Sequence, residues 1–464
     1  MMKLTHKQSL FVTMMACGIS VSALAQEAPP ETGEGPRHQV SEIIAATSDG
    51  NEKRSLLETL GFALTNNSEL AAAKSQYLAV HRKQFVSLST MLPQVSAFAR
   101  YNYHKIGEQD PGFDYDEYDD DAFGLSISYD VFTSGKNLNA YRSARADVRK
   151  QNQDRLAVEQ NVLLDAITSH FDVVRDEAVY QLNEKNVDIL SQQLQAVKDR
   201  FEVGVVTRTD VAQSQARLAA ARSELIAAQT SLQASRAFYQ RTIGVPPENL
   251  AEQASLPSLP ETIDDALDVG RSRNPLLNAA RENARSSALS AYSAVGAAMP
   301  QLRVAGTYTR YDDQTPNPAL GKLEEGEIYE LSATVTVPLF TGGKNLATVL
   351  AARHASDALA KSVHATASSV DESIVVAWHR NLAAGAVIGA REEQIKASQI
   401  ALEGVRLENS LGTRTTLDVL DAEQDYLDAR VNLIRAQRDQ FVSAYGLLAS
   451  LGELTGALFV AENN

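Results

Sequence analysis

Cysteine is almost missing from these 464 residues: there is one, Cys17, beside 15 tyrosines, 13 phenylalanines and a single tryptophan. Lys3, His6 and Lys7 precede an apolar stretch from Ser9 to Leu24, and Ala23-Leu24-Ala25 offers a small-x-small cleavage site. That is the pattern of a secretory signal peptide over residues 1–25. Cleavage after Ala25 gives a mature chain starting at Gln26 with no thiol, which excludes disulfides, thiolate metal sites and a cysteine nucleophile. A lipoprotein signal at Cys17 is the competing reading, but the leucine usual three residues earlier is missing and the apolar run continues past the cysteine.

Basic charge is scarce as well. Lys and Arg number 43 against 58 Asp and Glu, for a formal charge of −15, and losing Lys3 and Lys7 with the signal takes the mature chain to −17. Nucleic acid is therefore disfavoured as a partner. Beyond the signal no apolar run reaches the roughly 18 residues that a spanning helix needs, so any membrane crossing falls to strands. Aromatics supply only 6% of residues within a hydrophobic share of 44%. Alanine carries much of the apolar surface, a composition suited to elongated helices more than to one thick core.

The marks of catalysis are missing too. The mature histidines (His38, His81, His104, His170, His354, His364 and His379) have no metal-ligand spacing, there is no G-x-S-x-G, and the glycines form no phosphate loop. The acidic run Asp114 to Asp121 lacks the spaced Asp and Gly of a calcium loop and reads as a solvated loop tip. Trp378 reads as packing or surface, not as a ligand platform. No enzyme, cofactor or metal is expected.

What is present is a repeat. Setting position n beside n + 208 aligns Phe132, Gly135, Lys136 and Asn137 with Phe340, Gly343, Lys344 and Asn345, so that "FTSGKN" meets "FTGGKN". The same shift aligns Gly204, Thr207 and Asp210 with Gly412, Thr415 and Asp418, and Gly244 with Gly452; one residue less aligns Asn67 with Asn274 and Pro93 with Pro300. Two copies of one unit make up the mature chain. The expected boundaries are a loose leader over 26–50, a first unit over 51–245, a proline-bearing linker over 246–261, a second unit over 262–452 and a short tail over 453–464.

Within each copy the hydrophobic period changes twice. It is helical from Ser55 to Thr90 and is closed by Pro93. It then becomes two-fold, predicting strands over 94–103, 122–132, 301–311 and 328–340. Val95, Ala97, Ala99, Tyr101 and Tyr103 form one apolar face, and Phe123, Leu125, Ile127, Tyr129 and Val131 another; Arg310 sits on the apolar side of the third strand. Helical periodicity returns after Gly135 and Gly343. No Pro or Gly interrupts Lys136 to Val203, and the spacing of Leu190, Leu194, Val197 and Phe201 suggests coiled-coil packing. Such a helix would run about 100 Å. Gly204 and Gly412 then turn the chain back, with Thr207 and Thr415 beside them.

Amphipathic strands of about ten residues have the length of transmembrane β-strands, though soluble antiparallel sheets alternate too. Four cannot close a barrel, and in lipid an open edge leaves backbone groups unsatisfied. Closure must come from other chains, with eight strands in a dimer or twelve in a trimer. The repeated phrase then marks where strand becomes helix. Phe132 and Phe340 would lie at the membrane boundary, Gly135 and Gly343 give the turn its freedom, and Thr133, Ser134 or Asn137 can cap the helix.

These features together resemble the TolC-like outer-membrane efflux proteins over nearly the whole mature chain. The most specific stretch is "LGTRTTLDVLDAEQ", Leu411 to Gln424, with "VGVVTRTDVAQSQA", Val203 to Ala216, as its diverged partner. The resemblance implies an α+β membrane protein, a homotrimer whose coiled-coil hairpins form a long α-helical barrel below a twelve-stranded transmembrane β-barrel. It also implies an outer-membrane location with a large periplasmic part. The trimer would serve as the exit duct for type I protein secretion or small-molecule efflux, with a periplasmic adaptor and an inner-membrane transporter as partners. Asp418 and Asp421 would ring the periplasmic entrance, and Arg414 and Asp210 would form an inter-helix link that keeps it shut. Helix capping is the plainer reading of the two aspartates. Asn409 departs from the tyrosine of the family's closing network, and Gly385, Gly389 and Gly404 put the straightness of the second long helix in question. A periplasmic coiled-coil adaptor or scaffold that does not span the membrane is the alternative.

Overall fold

The computed structural model describes residues 53–105, 117–252, 255–313 and 326–456. The signal segment with Cys17, the leader with His38, the centres of both hairpin tips (Asp114 to Asp116; Pro316, Pro318, Glu324 and Glu325) and the last tail residues lie outside them.

Helices α1 (Leu56–Asn66) and α2 (Ser68–Ser89) lead into strands β1 (Gln94–Lys105) and β2 (Glu117–Phe132), followed by helices α3 (Lys136–Glu202) and α4 (Arg208–Ile243). The second unit repeats the order with α5 (Ile263–Arg273), α6 (Pro275–Ala297), β3 (Gln301–Asp313), β4 (Gly326–Thr336), α7 (Lys344–Ser410) and α8 (Thr416–Leu451). Helices α3 and α7 each have 67 residues, and α4 and α8 each have 36. Helix α7 is continuous through Gly385, Gly389 and Gly404, whose surroundings in the chain are open space.

The single helix expected from Ser55 to Thr90 is two. Asn67 adopts an extended backbone and its side chain accepts from the N–H groups of Glu69 and Leu70, so it ends α1 and starts α2. Asn274 does the same between α5 and α6. Each asparagine also donates across the fold, Asn67 to the Thr242 carbonyl and Asn274 to the Ser450 carbonyl, both at 2.9 Å. These bonds pin the ends of α4 and α8, which stop at left-handed Gly244 and Gly452.

The four strands form one antiparallel sheet in the order β1-β2-β3-β4. Its register sets Val95, Ile127, Gly306 and Leu331 on one face with Leu125, Tyr308 and Tyr329, while Ser96, Ser126, Thr307 and Glu330 lie on the other. Residues opposite each other in antiparallel strands share a face, so the sheet has one apolar side. The apolar side chains are largely exposed in the single chain, Leu331 by 82%. At Gly124 there is no room for a Cβ, which would run into the Tyr308 carbonyl oxygen of β3 and come within 2.9 Å of the Phe98 ring of β1. Strand β4 ends at Thr336, short of the 340 expected from the sequence. Pro338 has no N–H to continue the ladder.

The main core lies at the ends of α4 and α8, where Leu447, Leu448 and Leu451 meet Leu163, Ile167, Tyr239, Ile243 and Leu277. Phe171 stacks on Phe441 at 4.5 Å. His170 is buried there, with Nε2 donating to the Ala251 carbonyl and Nδ1 accepting from the Thr59 hydroxyl, each at 3.0 Å. The linker is thereby tied down, and it also pairs with the start of the first unit through Arg54 and Leu250. No described helix is long and apolar enough to cross a membrane.

Candidate functional site

The two hairpin tips are built alike. Gly204 and Gly412 take φ of 77° and 79°, the left-handed region in which a Cβ is strained. Their turns close through Val205 N–H to the Arg200 carbonyl at 2.9 Å and Thr413 N–H to the Glu408 carbonyl at 3.0 Å. Thr207 and Thr415 then cap α4 and α8 in reciprocal capping boxes with Asp210 and Asp418. Bonds from Thr207 hold the Asp210 carboxyl below the usual carboxylate range, and those from Thr415 do so for Asp418. Both stay ionised through neutral pH. Capping thus describes Asp418 within one chain, and its charge stays in solvent.

Arg414 and Asp210 are not brought together in the chain. Arg414 bonds to Glu408 at 2.8 Å, and the Asn409 amide donates to the Arg414 carbonyl at 2.9 Å, which fixes the α7–α8 turn from within. Asp421, one turn along α8, forms an ion pair with Arg217 of α4. That partner was not foreseen: position 425 of the second copy, which aligns with Arg217, is aspartate, so the repeat carries no hint of it. Beside the pair, Leu420 of α8 sits among Leu190 and Leu194 of α3 and Leu218 and Ala221 of α4. Buried Glu423 accepts from Arg406 of α7 at 3.0 Å, joining α7 to α8.

The strand-to-helix junctions are equivalent in sequence and unequal in surroundings. In the first, Gly135 has φ of 82°, the Thr133 hydroxyl accepts from the Asn137 N–H, and the Asn137 amide donates to the Thr90 carbonyl at 3.0 Å. Ser134 donates to the Pro300 carbonyl, and Gly296 of α6 lies so close that a Cβ would come within 2.6 Å of the Lys136 nitrogen. In the second, Gly343 again has φ of 82°, yet nothing lies near it, and Phe340 is 88% exposed. Helix α7 follows suit. Of its 67 residues only Val370, Ile374 and Leu402 are buried, while Leu346, Leu382, Ile400 and Leu407 are exposed. Helix α3 packs on both α2 and α6; α7 packs on α6 and, among the described residues, meets no counterpart of α2 along its other side.

The outer membrane efflux protein family matches residues 60–244 and 266–453, one stretch in each unit. The outer membrane efflux protein BepC of Brucella suis biovar 1 (strain 1330) is 27% identical over 404 residues, covering 86% of this chain and 86% of its own. Outer membrane protein TolC of Vibrio cholerae serotype O1 is 25% identical over 421 residues, covering 90% of this chain and 94% of its own. Among solved structures, the Campylobacter jejuni CmeC outer membrane channel has a TM-score of 0.75 over 88% of each chain at 16% identity, a likeness of fold.

Proposed function

Because the chain belongs to the outer membrane efflux protein family, and so is a TolC-type outer-membrane efflux and secretion channel with no catalytic activity, we propose that it works as a homotrimer. The adaptor reading gives way to the family match over both units. In the trimer, β4 of one subunit pairs with β1 of the next to close twelve strands, and α7 lies against the next subunit's α2. The observation that carries this is what the single chain leaves unfinished: bare β4 and β1 edges, an open Gly343 junction and an α7 with three buried residues in 67. In lipid such edges cost several kcal/mol per unpaired group, so a lone protomer could not insert.

The repeat arithmetic supplies a test. Val95 lies opposite Ile127, and shifting these by 207 and 208 gives Leu302 opposite Val335, the pair observed. Applied to the observed pairing of Ser126 with Thr307, the same shifts match Thr334 with Arg100 of the partner subunit. In a Cys17→Ser background, a chain carrying Thr334→Cys and Arg100→Cys is expected to give covalent trimers on oxidation, while Thr334→Cys with Phe98→Cys stays largely monomeric. Equal crosslinking of both pairs, or none beyond dimer, would reject the arrangement.

The duct runs from the helical tips to the barrel and is served by a periplasmic adaptor and an inner-membrane transporter, which select either a secreted protein or small molecules. The exposed tips, with Val203, Val205 and Leu411 in solvent, support docking there. Asp418 and Asp421 form the entrance ring, six carboxylates in three chains, and the link between Arg414 and Asp210 is made between neighbouring subunits, since neither finds the other within one. Phe132 and Phe340 mark the membrane boundary. Replacing Asp418 and Asp421 together by alanine should abolish most of the cation preference and the block by multivalent cations in planar bilayers, because a narrow throat focuses the field of such charges. Unchanged reversal potentials would remove these residues from the entrance.

A further inference from the structure

The ion pair between Arg217 and Asp421 joins the two copies of the unit. Arg217 belongs to the α3–α4 hairpin and Asp421 to the α7–α8 hairpin, 204 residues away. Near the tips little else does so: Leu420 is the one α8 residue in the small apolar cluster with α3 and α4. The contrast with the far end is large, since there α8 contributes Leu447, Leu448 and Leu451 to the main core. Helices α7 and α8, by comparison, are held to each other by Arg406 and the buried Glu423. Between the main core and the tip α8 is tied to α3 by the ion pair of Arg438 with Asp172, and near the tip it is held to α3 and α4 by one leucine and the Arg217 pair.

We propose that Arg217 is a selectivity-determining latch: in the closed entrance it holds α8 against α4 and neutralises Asp421, and on opening it releases that carboxylate to the passage. This rests on the reading of Asp418 and Asp421 as the entrance ring. Opening and cation preference are then coupled, because the carboxylate that helps hold the tip shut is also one of those that attract cations. In the closed trimer three of the six ring carboxylates carry a cationic partner. Separating α8 from α4 frees the three Asp421 carboxylates of their partners, and the throat gains negative charge as it widens. Both members of the pair are partly exposed, Arg217 by 38% and Asp421 by 52%, so the latch weakens with salt, for which the screening length falls to about 3 Å at 1 M.

The test uses the full-length channel in planar bilayers. Arg217→Gln is expected to raise the mean single-channel conductance about fivefold at 0.1 M KCl, as three modest ion pairs are lost together. It should also raise the potassium-over-chloride permeability ratio. The conductance gap to wild type should shrink at 1 M KCl. The charge exchange Arg217→Asp with Asp421→Arg restores the pair and should return conductance toward wild type, which separates a latch from a general disturbance of α4. Conductance and permeability ratio both equal to wild type in Arg217→Gln, or a charge exchange as open as the single variant, would overturn the proposal. Asp418→Asn leaves the latch in place and tests the ring alone: unchanged ion preference there rejects the ring, and a raised conductance in Arg217→Gln would still identify the mechanical part of the latch.

Discussion

Gly452→Val should abolish the heat-stable assembled protein, or at least lower its thermal midpoint by many degrees. Gly452 ends α8 at φ of 85°, where a β-branched side chain is strained by about 1–2 kcal/mol or more. Its surroundings add more. A Cβ would come within 2.6 Å of the Arg273 carbonyl oxygen and 2.8 Å of the Asn274 Cα, atoms of backbone that cannot swing aside. The displaced residue is the asparagine that ends α5, starts α6 and holds the Ser450 carbonyl. Loss of such a cap costs about 1 kcal/mol, and overpacking a further 1–3 kcal/mol. Gly412→Val is the control. It has almost the same φ, 79°, with nothing within 4 Å, so only the backbone strain applies. Thermal melts of the detergent-extracted protein should separate the two; equal midpoints would show that the packing around Gly452 contributes nothing.

Acid should weaken the fold between pH 6.5 and 4 through His170. Burial lowers its pKa from 6.5 to about 4, because the charged ring would lose water around a site lined by Thr59, Tyr239 and the Ala251 carbonyl. Between those two values the unfolded chain carries a proton that the folded chain refuses. Stability is thus fully present above pH 6.5 and falls as pH drops, with the loss complete near pH 4 and worth about 3 kcal/mol. Carboxylates elsewhere also respond to acid, so the informative quantity is a difference. His170→Gln keeps a polar group at the site without titrating, and its midpoint should change less than that of wild type between pH 7 and 4. Parallel profiles would show that His170 is not the group responsible. The effect reaches function by position, since the ring secures the linker against the core in which α8 is rooted.

Asp418 and Asp421 illustrate how far the sequence could be read. Their place just past a turn follows from Gly412 and Thr415, and their spacing on one side of a helix follows from its period. Both are local facts. What each carboxylate touches is different in kind. Asp418 turns inward to its own cap, as Thr415 three residues earlier allows, whereas Asp421 meets Arg217, which belongs to the other copy. Arg414 is the converse case, since it pairs with Glu408 of its own hairpin turn. Asn67 and Asn274 stood out as a matched pair in the sequence, yet their double duty as cap and clamp needs the carbonyls at the ends of α4 and α8 beside them.

Residue order alone carries the duplicated plan, the alternation of strand and helix, the matched lengths of the long helices and the sidedness of the strands. These depend on backbone geometry that repeats every 2 or 3.6 residues, so residue order suffices to express them. It took the packed fold to set Arg217 on Asp421, to seal His170 under the linker, and to enclose α3 on both sides while leaving α7, among the described residues, open along one. Those outcomes depend on which helices lie side by side, and two stretches nearly alike in sequence are given different neighbours because one is interior to the chain's own sheet and bundle while the other forms its edge.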